Sequence, residues 1–126
     1  MGDLSRNFSR HEFACTCSCG FDIVSPVLVD LLQEIRDELN AKVIIESGCR
    51  CEQKNKEVGG VEDSGHLSGE AADIWTPAMD SRALGEFIRN MHRRGKLRDL
   101  TYCYRAGKRT VHVGVDRKKR RAIFGF

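Results

Sequence analysis

An α+β domain, in which a small and mostly antiparallel sheet carries helices on it, is the fold this sequence predicts. Three observations predict it. Two stretches repeat apolar residues at the helical period. Several short runs are rich in β-branched and aromatic residues. The two kinds of segment do not alternate strictly, as a parallel sheet would require. At 126 residues the chain reads as one domain over 1–126, large enough to bury a core but with little stability to spare.

Ser25-Pro26 is a helix start, with serine as N-cap and proline in the first turn. Leu28, Leu31, Leu32, Ile35 and Leu39 follow at helical spacing up to Asn40, which gives one amphipathic helix. Lys42-Val43-Ile44-Ile45-Glu46 reads as a strand that the helix covers. Cys51 to Val58 contains no glycine or proline and predicts a short helix ended by Gly59-Gly60. Ala71-Ala72-Asp73-Ile74-Trp75 reads as a second strand. From Asp80 a second long helix carries Ala83, Leu84, Phe87, Ile88 and Met91 on one face and stops at Gly95. Leu100 to Arg105 and Arg109 to Val115 then form a hairpin across Ala106-Gly107-Lys108.

Forty per cent apolar residues and a net charge of +3 suit an ordinary water-exposed domain. No apolar run is long enough to span a membrane, and Met1-Gly2-Asp3-Leu4-Ser5-Arg6 is not a secretion leader, so synthesis in the cytoplasm is expected. The cationic run Arg117-Lys118-Lys119-Arg120-Arg121 reads as a solvated turn or a surface drawn to anionic wall polymers, in preference to a nucleic-acid patch. A monomer is expected. Six cysteines occur, at Cys15, Cys17, Cys19, Cys49, Cys51 and Cys103. The Cys-x-Cys-x-Cys run and the second pair could supply four thiolates to a structural zinc or form disulfides outside the cell. They could also be small apolar residues of a reducing compartment.

The chemistry concentrates in Ser64-Gly65-His66-Leu67-Ser68-Gly69-Glu70-Ala71-Ala72-Asp73 and, downstream, His112. Two imidazoles and a carboxylate are the set that a catalytic zinc prefers when one coordination position must stay open. A continuous helix from His66 to Asp73 would hold them roughly 10 Å apart along its axis, too far for one ion, so the segment must fold back. Gly69 can supply the backbone angles for that reversal. His112 then sits within the last strand of the hairpin.

Those residues resemble the zinc D-alanyl-D-alanine carboxypeptidases and their peptidoglycan endopeptidase relatives. The family pattern Ser-x-His-x-x-Gly-x-Ala-x-Asp is met by Ser64, His66, Gly69, Ala71 and Asp73. Upstream the family has a Ser-Gly-Tyr-Arg turn, an asparagine and a glycine pair, and here Ser47-Gly48-Cys49-Arg50, Asn55 and Gly59-Gly60 follow in that order. Downstream, Tyr104 and Thr110-Val111-His112-Val113 match an aromatic strand and a Phe-Val-His-Val segment, and Glu12-Phe13-Ala14-Cys15 looks like the family's amino end. The resemblance covers roughly residues 8–116. It implies hydrolysis of peptide bonds involving D-amino acids in peptidoglycan, with zinc as cofactor and His66, Asp73 and His112 as its ligands. It also implies Arg50 as the group that stabilises developing negative charge, and Ser64 and Tyr104 as substrate contacts. With no leader at its start, such a protein is expected to reach the wall by phage-type release.

Two departures bear on the proton acceptor. Many relatives carry Glu or Asp three residues before the last histidine, where this chain has Arg109. Another branch has His-x-Asp, where this chain has Gly114, with Asp116 displaced by two. No single residue is assigned as the base: Asp116, on the same side of an ideal strand as His112, is the catalytic candidate, and Glu46, Glu70 and Tyr104 are further candidates. The gap also admits a second reading, a zinc-containing binding module for cell-wall peptides that has lost hydrolytic power. The Hedgehog signalling domain resembles the family in this way.

Overall fold

The structure, a computed structural model, describes residues 2–17, 19–61, 64–116 and 124–125, the last pair by backbone alone. The cationic run at 117–121 lies outside the described residues.

Helix α1, Pro26–Leu39, starts where the Ser25 hydroxyl oxygen accepts from the Val27 amide, and ends at Asn40 in the left-handed conformation. It buries Leu28, Val29, Leu31, Leu32 and Ile35, each worth roughly 1.5–3 kcal/mol when fully removed from water. Helix α2, Glu52–Glu57, is short and is capped by the Cys51 sulfur, which accepts from the Lys54 amide. Helix α3, Ser81–Arg93, begins where Asp80 accepts from the Ala83 amide, and buries Leu84, Ile88 and Met91. Two 3-10 turns, Arg10–Phe13 and Gly65–Ser68, complete the helical elements among the described residues.

Among the described residues, five strands form one sheet in the order β1-β2-β4-β3-β5. They are β1 Ile44–Ser47, β2 Ala71–Trp75, β3 Tyr102–Arg105, β4 Val111–Gly114 and β5 Phe124–Gly125. The first four pair antiparallel, and β5 adds a short parallel edge to β3. The architecture is α+β, as the pattern of segments predicts.

Alternation along the strands gives the sheet two chemically different faces. Ala72, Ile74, Val111, Val113 and Cys103 point into one cluster of buried apolar side chains with Phe8, Phe13 and the inner faces of α1 and α3. The residues between them, Asp73, His112, Gly114, Tyr102 and Tyr104, therefore occupy the opposite face. A slip of one residue would exchange the faces, so the apolar set fixes where the polar set goes.

Element boundaries depart from expectation in two places. The hairpin strands are shorter than 100–105 and 109–115, because the Ala106 amide donates to the Thr110 carbonyl at 2.8 Å and draws 106–110 into the turn. Strand β1 starts at Ile44 and not at Lys42, and its register shifts between Ile45 and Ser47 where it pairs β2.

Candidate metal centre

Three strands set the frame. Asp73 on β2 lies opposite His112 on β4, and His112 lies opposite Tyr104 on β3, so the three form one row across the sheet. His66 arrives from the 3-10 turn Gly65–Ser68, whose first amide donor is met by Ser64: its hydroxyl oxygen accepts from the His66 amide at 3.2 Å. The chain then reverses at Gly69, whose φ of 70° is left-handed, and a Cβ there would lie 2.7 Å from the Ile23 carbonyl oxygen. That reversal places His66 over the start of β2, as the spacing argument requires.

His66, Asp73 and His112 offer ligand atoms that all lie within 4.8 Å of one another. Asp73 Oδ1 is 2.7 Å from His112 Nδ1 and 3.5 Å from His66 Nε2. Donors about 2.0–2.1 Å from a common tetrahedral ion stand about 3.3 Å apart; the 3.5 Å separation is close to that, while the 2.7 Å one is a hydrogen bond that a cation would replace. The tautomer of His66 points the same way. Its Nδ1 donates to the Gly48 carbonyl at 2.5 Å, which leaves the lone pair on Nε2. That Nε2 is buried and has no hydrogen-bond partner, and a buried unpaired acceptor costs on the order of 1–3 kcal/mol. A cation between the three side chains would remove that cost.

The electrostatics agree. Burial alone would push the Asp73 carboxyl up, but the hydrogen bond from His112 and the two imidazoles outweigh it and hold the group well below its ordinary value, so it is ionised. Burial lowers His112, against the pull of Asp73, and favours the neutral ring that a metal needs. Burial also raises Tyr104, helped by the Asp73 charge, so its phenol keeps its proton at neutral pH.

Arg50 closes one side. Its Nη2 stands 3.6 Å from Asp73 Oδ2, and its Nη1 donates to Asn55 Oδ1 at 3.3 Å. Asn55 is buried and donates to the Val61 carbonyl at 2.8 Å. The Arg50 amide donates to the His66 carbonyl at 2.8 Å. The segment Ser47-Gly48-Cys49-Arg50 thus does three jobs: Ser47 pairs Asp73, the Gly48 carbonyl orients His66, and Arg50 reaches the carboxylate.

The other sequence candidates fall as follows. Ser64 is buried and its oxygen is engaged in capping the turn of His66. Tyr104 is the most open member of the row, and its ring stacks on His112 at 4.6 Å between centroids. Asp116 is buried just beyond β4. Glu46 accepts from Arg109 at 2.8 Å and from the Thr110 hydroxyl at 2.7 Å, and Glu70 accepts from the Ser68 hydroxyl at 2.6 Å. Arg109, at the position where many relatives carry an acid, lies over the Trp75 ring and points to Glu46.

Tyr102 escaped the sequence reading. Its ring stacks on His112 at 5.3 Å, and burial first, then the Asp116 charge, raise its phenol. Its period-two spacing from Tyr104 was the available signal. Tyr102 also explains Gly114: a Cβ at that residue would lie 2.2 Å from the tyrosine ring. The aspartate that one branch of relatives carries there has no room here.

The pattern that describes the peptidase M15 family matches residues 6–114. The chain belongs to the peptidase M15 family. Peptidases M15 are zinc-dependent metallopeptidases, and the match spans every residue of the row and the turn that carries His66. No curated protein matches the chain.

Proposed function

We propose that this M15 peptidase hydrolyses peptide bonds involving D-amino acids in peptidoglycan, with zinc held by His66, Asp73 and His112. The observation that carries the metal assignment is the buried, unpartnered Nε2 of His66 beside an ionised carboxylate and a second imidazole. Zinc bound there supplies a Lewis acid for the scissile carbonyl and makes water available as a nucleophile at neutral pH.

The protein's own groups do the rest. Arg50 is held by Asn55 at the edge of the row, where its guanidinium can take up the negative charge that develops on a carbonyl oxygen. The Tyr104 phenol, protonated and exposed, can donate to the substrate backbone. The Ser64 oxygen is occupied in its cap, so its proton can be offered to a substrate carboxylate. Glu46 is committed to Arg109 and Thr110. Asp116, whose charge acts on the Tyr102 phenol against His112, is the carboxylate we assign to proton acceptance. The basic balance of the chain, +3, suits an anionic wall polymer.

The binding-module reading is favoured by one observation: Arg109 stands where many relatives have an acid, and it ties up Glu46. Purified protein incubated with defined muropeptides, with and without a chelator, separates the two. Products that appear by mass spectrometry and vanish on chelation are expected. Tight muropeptide binding with no product from any of them would establish the module and end the enzyme reading. Asp116→Asn should lower kcat with little change in KM. An unchanged kcat would remove Asp116 from the mechanism.

A further inference from the structure

A second group of ligand-type side chains lies outside the row. Cys15, Cys17 and Cys19, in the loop after the turn Arg10–Phe13, meet Cys51 at the start of α2, and the four sulfur atoms all lie within 4.8 Å of one another. The Cys15, Cys17 and Cys51 sulfurs are 3.4, 3.6 and 3.8 Å apart in pairs.

Three chemistries could explain such a group, and the distances choose between them. A disulfide needs sulfurs about 2.05 Å apart, and the three measured separations are all far longer than that. Four thiolates about 2.3 Å from a tetrahedral zinc stand about 3.8 Å from each other, which is the spacing of the three sulfurs here. Use as apolar filling fits the remaining cysteines instead. Cys49 is buried with its thiol donating to the Phe21 carbonyl at 3.2 Å, and Cys103 is in the core. Cys17 and Cys19 are exposed, where an apolar filler gains nothing. Two amides are aimed at the sulfurs as well: Cys51 N–H at Cys15 Sγ, 3.5 Å, and Lys54 N–H at Cys51 Sγ, 3.4 Å. Such donors commonly support ligating thiolates.

We propose that Cys15, Cys17, Cys19 and Cys51 hold a zinc ion of their own in a closed, all-thiolate site. Its place gives it a role. Cys51 follows Arg50, and the Cys49 amide donates to the Phe13 carbonyl at 2.9 Å. The ion therefore clamps the amino-terminal loop to the segment that presents Arg50 and, through Gly48, orients His66. The site is structural: four protein ligands leave no position for substrate.

The test uses the whole chain purified under reducing conditions. Elemental analysis should find two zinc ions per chain in the wild type. The double variant His66→Ala/His112→Ala should retain one, and its cobalt form should show thiolate-to-cobalt charge transfer in the near ultraviolet. Cys17→Ser/Cys19→Ser should lose one ion. Should that variant fold poorly, a mercurial titration of the wild type serves in its place, with zinc released in step with modification of four thiols. No metal in the His66→Ala/His112→Ala variant, iron in place of zinc, or a mass that reveals disulfides among these four cysteines would overturn the site. Each of those outcomes leaves the reading of the His66, Asp73 and His112 centre untouched, because the two ions are counted separately.

Discussion

The two clusters of ligand-type residues found among the described residues are built on opposite plans. His66, Asp73 and His112 are three, drawn mainly from paired strands, with Arg50 beside Asp73 and the exposed Tyr104 stacked on His112. Cys15, Cys17, Cys19 and Cys51 are four, drawn from a loop and a helix start, and their sulfurs lie within 4.8 Å of one another, a full set for the ion we propose there. The difference teaches how one small chain can separate reactivity from support. An ion that must act on a substrate needs a rigid platform and a missing ligand, whereas an ion that must fasten a loop needs a full set and tolerates a flexible carrier.

The contrast can be broken most severely at the row. His112→Ala should reduce muropeptide hydrolysis to background and lower bound zinc by one equivalent while the thiolate ion stays, as elemental analysis and mass spectrometry would show. Loss of both ions together would mean that the clusters are not independent. A step smaller, Arg50→Ala should lower kcat about 10²–10³-fold, the usual effect of losing one donor to a developing oxyanion, with both ions retained.

Substitution on the opposite face of the sheet sharpens the comparison from the structural side. Ile74 follows Asp73 on β2 and is fully buried on the apolar face of the sheet, where it pairs Val111, and Ile74→Ala should cost about 2–5 kcal/mol in urea unfolding. The metal count at saturating zinc should not change. If it did, packing and ligand placement would be one cooperative unit.

The smallest effect concerns acid. The Thr110 hydroxyl, then Arg109, holds the Glu46 carboxyl below its ordinary value. A depressed carboxylate contributes stability above its unfolded value and loses it as pH falls through its folded value. The urea midpoint should therefore decline as pH drops below about 4.3, the ordinary glutamate value, and Glu46→Gln should flatten that part of the curve. Because Glu46 is well exposed, a shallow slope is expected. A steep loss that survives Glu46→Gln would place the acid sensitivity elsewhere.

Local rules made much of this legible in advance. Ser25-Pro26 and Asp80 start the long helices where capping chemistry predicts, and Gly69 reverses the chain after His66. The ligand trio was visible because a metal demands particular side-chain types and the segment between them had to turn. Less visible was anything that depends on which residues stack across strands. The Tyr102 ring over Gly114, the capture of Glu46 by Arg109 and Thr110, and the Gly48 carbonyl on His66 Nδ1 join residues 12 to 64 positions apart. The six cysteines admitted three explanations until their sulfurs had positions.

By itself, then, the order of residues determined the helices, the strand segments, the turn at Gly69 and which three side chains are the candidate ligands, since each follows from short-range sterics, capping and donor chemistry. Only the tertiary structure decided which face of the sheet carries the row, that Arg50 is anchored by Asn55 beside Asp73, and that four cysteines out of six meet. Those outcomes depend on strand register and on contacts between distant segments. The apolar set on the helix side fixes that register as a whole, so no local stretch encodes it.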